Sequence, residues 1–307
     1  MSNIIQKINN LEAETFLNIK NSKSSNTTRA YKSDFKDFEN FCDEFNFKSI
    51  PATPKTVSLY ITKMSRECKF STIKRRLASI KVYHIITGNY IDLKHPVISE
   101  NLNSIKRKIG TFQKAKKPIT LNELKLIISR IQREKNKKNI LRNKALILVG
   151  FAGAFRRSEL VSIEIEDIDF VNEGVKIFVK KSKTDQSGEG MIKAIPYFKN
   201  IEFCPVLSLK NWVEYLKIAQ VNDKVIFKMS DKNVALIIKK YIQESGLDKS
   251  KYAGHSLRSG FATSTAESGA EERHIMSMTG HKSNQMVRRY IQESNLFKNN
   301  ALKKINL

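Results

Sequence analysis

Between Gly254 and Tyr290 the chain reads GHSLRSGFATSTAESGAEERHIMSMTGHKSNQMVRRY, and this stretch gathers more proton-transfer and anion-binding groups than packing requires. His255 and Arg258 are three residues apart, which on a helix places them one turn apart on one face, able to converge on a single ligand. His281 follows the helix-stopping Gly280, and Tyr290 comes nine residues later. Breaking a phosphodiester without a metal requires a nucleophile, an acid for the departing oxygen and positive groups around the transition state, and the sequence offers residue types for each part. The tyrosine hydroxyl, with an ordinary pKa of about 10, must lose its proton in the transition state, and cationic surroundings ease that loss. The sequence has no carboxylate cluster of the kind that holds Mg²⁺, no zinc-ligand spacing and no phosphate-binding G-x-x-x-x-G-K-S/T loop, which favours an amino-acid nucleophile over a metal-activated one. A second tyrosine competes, because KKYIQESGL at 239–247 echoes RRYIQESNL at 288–296. The flanks do not repeat at that period, so no solenoid is implied, and of Tyr241 and Tyr290 only Tyr290 follows a histidine at close range.

Each residue alone has a plainer reading. An arginine near a helix start is commonly a surface ion-pair partner, a lone histidine a satisfied core or surface group, and a tyrosine beside Arg288 and Arg289 a half-buried edge of the core. Their co-occurrence in order, Arg, Lys, His-x-x-Arg, His, Tyr, resembles the tyrosine recombinases, the phage-integrase family of DNA strand-exchange enzymes. Ala154-Phe-Arg-Arg-Ser-Glu-Leu160 looks like the family's first arginine box, an alignment that selects Arg156 over Arg157 and puts Glu159 at the acidic position that supports the site. Ser182-Lys183-Thr184 resembles the hairpin lysine, which in the family protonates the leaving 5′ oxygen, with Lys180 and Lys181 as close neighbours. His255 and Arg258 match the H-x-L-R box, His281 the second histidine and Tyr290 the nucleophile. The chain departs from common forms at Ser259 and Thr279, neither of which does chemistry.

The resemblance implies a site-specific recombinase that cuts and rejoins DNA through a 3′-phosphotyrosine and integrates or excises a mobile element. It implies neither metal nor other cofactor. The implied partners are double-stranded DNA with paired recombination sites and three further copies of the chain, a homotetramer in the synaptic complex; accessory DNA-bending proteins are left open. The rival readings are a type IB topoisomerase-like nicking-closing enzyme and an inactive architectural DNA-binding protein. The implied fold is mainly α: an N-terminal helical, SAM-like core-binding domain over 1–108, a basic linker over 109–118, and a mostly α catalytic domain over 119–307 with a small antiparallel β-sheet, the DNA breaking-rejoining enzyme fold.

The elements that must position these groups are legible in the periodicity. From Ile8 to about Gly110 apolar residues recur at helical steps, as in Phe35, Phe38, Phe41 and Phe45. One helix is predicted after Pro54, carrying Val57, Tyr60, Ile61 and Met64, and another from Ser71, carrying Ile73, Leu77, Ile80 and His84 and ending at Gly88. The opposite face of the latter, Lys74, Arg75, Arg76 and Lys81, is a candidate DNA-contacting surface. IKRKIGTFQKAKKP, 105–118, reads as an interdomain linker whose Lys106, Arg107, Lys108, Lys114, Lys116 and Lys117 would neutralise phosphates as a strap. Thr120-Leu-Asn-Glu123 is a capping box opening a helix, Ile140 to Ala154 an apolar helix, and Val175, Ile177 and Val179 alternate with Lys176, Phe178 and Lys180 as a strand paired with Met191 to Tyr197. Helices follow from Cys204-Pro205 and from Asp231 to Gly246, and Leu296, Phe297, Leu302 and Ile305 give the tail an apolar face for a neighbouring copy.

With 307 residues the chain suits two domains. Its 55 Lys plus Arg against 30 Asp plus Glu, a formal charge of +25, point to a polyanion, and the absence of an amphipathic or lipidation signal favours nucleic acid over a membrane surface. Three scattered cysteines argue against a disulfide framework, and the N-terminus lacks a signal-peptide core, so a reducing, cytoplasmic location is expected.

Overall fold

The computed structural model describes residues 4–8, 10, 11, 14, 24–112, 114–180, 182, 189–280 and 283–295. The chain divides into two compact units, Met1–Lys114 and Ala115–Leu307.

The first unit is helical: α1 (Ser25–Glu44), α2 (Pro54–Met64), α3 (Phe70–Ile86) and α4 (Pro96–Ile109). α2 begins where Pro54 presets the first helical turn and Thr53 accepts a hydrogen bond from Thr56 N. The stripe Phe35, Phe38 and Phe41 is buried with Tyr60, Ile73 and Ile80, whereas Phe45 is 49% exposed as the residue closing α1, one turn past the stripe's useful end. His84 is fully buried because both ring nitrogens are used: Nε2 accepts from Ala52 N at 2.9 Å, so Nδ1 carries the proton toward Ile80 O. The supposed linker starts later than its composition suggests. Ile105 is buried and Lys106, Arg107 and Lys108 occupy the last turn of α4, where cations complement the negative helix end, before Gly110 at φ 70° terminates it.

From Ala115 the chain is built into the second unit. Lys117 N donates to Lys251 O (2.7 Å), Ile119 N to Ser256 O (2.9 Å) and Lys116 Nζ to Ser250 O (2.6 Å). α5 (Leu121–Ile131) starts at the capping box, with Thr120 N donating to Glu123 Oε2 at 2.8 Å. α6 (Lys137–Ala152) is apolar on nearly every side over Ala145 to Ala152 and forms the centre of the core, packed by α5, α8 (Pro205–Ile218) and α10 (Ser256–Glu267). α7 (Arg157–Val161) follows α6, and α9 (Asp231–Glu244), capped by Ser230, lies against α5 and α7. The antiparallel sheet runs β1 (Ile168–Val171), β2 (Gly174–Val179), β3 (Met191–Pro196) in that order, with Ile177 paired to both Ile168 and Lys193 and Val175 to both Phe170 and Ile195. Strand β1, four residues of half-buried IDFV, was not anticipated, because so short a segment carries no alternation to read. α11 (Glu272–Thr279) and α12 (Asn284–Asn295) pack with α10 over a small core of Ala262, Ala266, Ile275 and Val287.

Candidate active site

Arg156 is delivered by a turn that few sequences could make. α6 stops at Gly153, where an added Cβ would lie 2.2 Å from the Phe155 ring, and Ala154 takes the left-handed conformation at φ 48°. The chain then reverses into α7 with Arg156 at its head. Glu159, 3% exposed, accepts from Arg156 N at 2.9 Å through Oε2 and from Arg156 Nη1 at 2.5 Å through Oε1, fixing backbone and guanidinium together.

Arg258 approaches from the first turn of α10, 6% exposed, and donates Nη1 to Ala154 O at 2.9 Å. α10 comes this close because Gly150 gives passage to Leu257 and Leu160, and because Gly260 leaves room for the Ile119 carbonyl, which a Cβ would meet at 2.0 Å. His255 is the exposed residue heading the same helix, so it and Arg258 do share its first turn. Tyr290, on α12, is half-buried against the small core of Ala262, Ala266, Ile275 and Val287, and its charge would register at Arg258. Burial lowers the Arg258 guanidinium to about 10, with Arg156 pushing the same way and Glu159 and Tyr290 opposing. Lys183 and His281 lie outside the described residues, as do the tail residues Leu296, Phe297, Leu302 and Ile305.

Two neighbours of these candidates have other occupations. Lys180 Nζ donates to Glu164 (2.6 Å) and Glu166 (2.7 Å) and lies 3.3 Å from Asp167, and these carboxylates raise its pKa. Tyr241 is fully buried; Asn143 Nδ2 donates to its hydroxyl at 2.8 Å, and the hydroxyl donates to Glu134 at 3.0 Å. A phenol so enclosed has no path to a phosphodiester.

Sequence reasoning missed Lys193. It sits on β3 and is 1% exposed, with Nζ donating to Gly153 O at 2.7 Å and to Met278 O, 4.9 Å from the Phe155 ring centroid. Burial pushes its ammonium down to about 7, with Glu159 opposing and Arg258 and Arg156 reinforcing the shift. The signal was parity: in MIKAIP, Lys193 shares a face with Met191 and Ile195 and pairs with inward-facing Ile177, so strand alternation puts it in the core.

The candidate DNA-contacting residues of the first unit separate into two groups. Lys74 and Lys106 line one groove together with Lys69, beside exposed Arg107 and Lys108, and Lys81 is exposed on α3. Arg75 and Arg76 are instead engaged within the unit, Arg75 with Asp34 and Arg76 with Asp37 and with Tyr60 Oη at 3.1 Å. In the second unit Lys116 and Lys117 are exposed along the segment pinned to Lys251, and Lys114 is exposed in the first. Among the described residues no group of His, Cys, Asp or Glu could hold a metal ion, and no helix is long and apolar enough to cross a membrane.

A helical unit followed by a mostly helical unit with a three-stranded antiparallel sheet, and an arginine pair beside a tyrosine, define a class that comparison with known proteins makes specific. The phage integrase family profile matches residues 117–296, and the phage integrase N-terminal SAM-like domain matches 14–86. An integrase/recombinase xerD homolog of Selenomonas ruminantium is 42% identical over 302 residues, 94% of this chain and 87% of the relative. The tyrosine recombinase XerD of Rickettsia prowazekii is 25% identical over 271 residues, 84% of each chain. Among solved structures, XerH site-specific recombinase in a post-cleavage complex with a palindromic difH substrate superposes with a TM-score of 0.63 at 20% identity, covering 84% of this chain and 73% of that one. The Tn1549 transposon integrase in complex with transposon right end DNA gives 0.61 at 16% identity, covering 93% and 95%. At such identities the structural likeness is one of fold. The chain belongs to the phage integrase family and is a tyrosine recombinase.

Proposed function

We propose that this chain is a site-specific recombinase that cuts and rejoins duplex DNA through a 3′-phosphotyrosine on Tyr290. The observation that carries the reading is the convergence of Arg156, Glu159, Arg258 and Tyr290 on one electrostatic cluster, although Arg156 and Arg258 are a hundred residues apart in sequence. The Tyr290 oxygen forms a bond to the scissile phosphorus as its proton leaves toward His255, and the phosphorus–O5′ bond breaks. Lys183 gives the departing 5′ oxygen its proton. Arg156 and Arg258 hold the non-bridging oxygens and neutralise charge that grows on them, and His281 donates a hydrogen bond to one of them. The phosphotyrosine conserves the energy of the broken ester, so a 5′ hydroxyl from a second strand reverses the step without ATP. Paired sites held by four protomers make that exchange reciprocal, and integration or excision of a mobile element is its biological use. Lys74, Lys81, Lys106, Arg107, Lys108, Lys114, Lys116 and Lys117 supply phosphate neutralisation outside the cleavage point.

A duplex library with a randomised core and a nick near its centre traps any cleaving enzyme, because the short 5′ fragment diffuses away. Wild type should form a covalent adduct whose recovered DNA shares one sequence, and Tyr290→Phe should form none. Adduct with no shared sequence, together with relaxation of supercoiled plasmid, would favour a topoisomerase-like enzyme. Binding without adduct would leave an architectural protein. Inverted repeats in the DNA flanking the gene test the mobile-element assignment.

A further inference from the structure

The turn that presents Arg156 is held in a conformation it would not keep by itself. Ala154 at φ 48° pays the Cβ–carbonyl penalty of the left-handed region, on the order of 1 kcal/mol. Two consecutive carbonyls of this turn are each gripped by a buried cation: Gly153 O by Lys193 and Ala154 O by Arg258. Lys193 also donates to Met278 O, in the last turn of α11, two residues before the left-handed Gly280 that redirects the chain toward α12 and Tyr290. One ammonium therefore bridges the approach to the arginine and the approach to the nucleophile.

A neutral donor would satisfy the same carbonyls without the cost of burying a charge; Glu159 offsets part of that cost, and Arg258 and Arg156 add to it. The charged groups that act on Lys193 are Arg156 and Glu159 from the start of α7 and Arg258 from α10, and Tyr290 on α12 acts on that same Arg258. Phe155 offers its ring face. Cations grouped in this way repel one another until an anion arrives, and a phosphodiester between Arg156 and Arg258 would relieve that repulsion at Lys193 also.

We propose that Lys193 is a positioning residue for strand cleavage, locking the Arg156 turn to the end of α11 and adding a charge behind the phosphate that those arginines hold. This rests on the cleavage reading above. Deprotonation leaves both carbonyl contacts possible but removes the charge, so the charged form is the more active one, and its population falls as pH rises past about 7 in the DNA-free enzyme. Bound phosphate shifts that fall upward.

The test uses the duplex recovered by covalent capture and the full chain. Lys193→Met should bind it within about twofold of wild type while forming adduct about 100-fold more slowly, as when a transition-state donor is lost. Lys193→Arg, which keeps charge and does not titrate in this range, should recover much of the rate. Measured with DNA well below saturation, where rates report the free enzyme, the wild-type to Lys193→Arg rate ratio should decline between pH 6.5 and 8.5, by up to about tenfold per pH unit above the wild-type apparent pKa. Titrations of Tyr290 and His255 are common to both proteins and cancel in the ratio. Wild-type rates for Lys193→Met, or a ratio flat with pH, would overturn the proposal. If Lys193→Met does not fold, the ratio still decides; if wild type forms no adduct, the cleavage reading has failed rather than the role of Lys193.

Discussion

Each unit gathers a knot of charge, and the two knots differ in burial and in balance: Arg75 and Asp37 of the first are 44% and 46% exposed, whereas Arg258 and Lys193 of the second are buried. In the first unit Arg75 and Arg76 face Asp34 and Asp37, with the Tyr60 hydroxyl closing the group. Burial raises the Asp34 carboxyl, and the two arginines oppose that rise. In the second unit Arg156, Arg258 and Lys193 gather around Glu159, and among the groups that act on Lys193 and Arg258 the cations outnumber that carboxylate. A matched set stabilises or merely tolerates its own burial, whereas a set with surplus positive charge is a receptor awaiting an anion. Net charge of +25 over the whole chain does not distinguish these cases; local matching does.

The comparison makes opposite demands on substitutions in the two places. Within the two knots the largest effect should come from Arg258→Lys. Loss of planar, bidentate donation should slow adduct formation by about 10²–10³-fold with little change in DNA affinity, and wild-type rates would reduce the second knot to a structural one like the first. Glu159→Gln comes next. Removing the carboxylate among buried cations should cost about 3 kcal/mol in urea denaturation, and inorganic phosphate should restore part of it by supplying the missing anion; no rescue by phosphate would argue against a receptor.

A pH series sharpens the contrast further. Lys193 has a folded pKa of about 7 against an ordinary 10.5, so the unfolded chain binds more protons between those values. Its charge burdens the fold fully below pH 7, and the burden lifts as pH rises toward 10.5. Wild type should therefore gain stability relative to Lys193→Arg from pH 7 to pH 10 in denaturation curves. Asp37→Asn in the first unit should cost about 1 kcal/mol, since its carboxylate is itself 46% exposed, and leave the cleavage rate of folded enzyme unchanged. The smallest effect belongs to Tyr241→Phe, about 1 kcal/mol of stability with adduct intact, against complete loss in Tyr290→Phe.

What could be read in advance follows the same division. Helix positions came from local periodicity, and the expected roles of the arginine box, the H-x-L-R pair and Tyr290 came from the resemblance of these short motifs to the tyrosine recombinases. Lys193 was legible in principle from strand parity, but one lysine in six residues is easily taken for an edge position. The engagement of Arg75 and Arg76 was not legible, because the claimants Asp34 and Asp37 lie about forty residues upstream on another helix. Lys106 to Lys108 looked like linker because composition hides the buried Ile105 that keeps them helical.

The short hydrogen-bonded run from Lys117 to Ile119 bears on how this enzyme could be trimmed. Ile119 is fully buried, its N–H is bound by Ser256 O, and its carbonyl fills the notch beside Gly260. A protease or cloning boundary placed at the capping box of Thr120 would strip that notch and expose the foot of the helix bearing His255 and Arg258. The void should weigh about as much as deleting a core isoleucine side chain, 2–5 kcal/mol. Fragments intended to retain catalysis should therefore begin no later than Ala115, and resistance of the Lys116–Lys117 peptide bond to trypsin, whose amide is held by Lys251 O, offers a quick assay that the seam is intact.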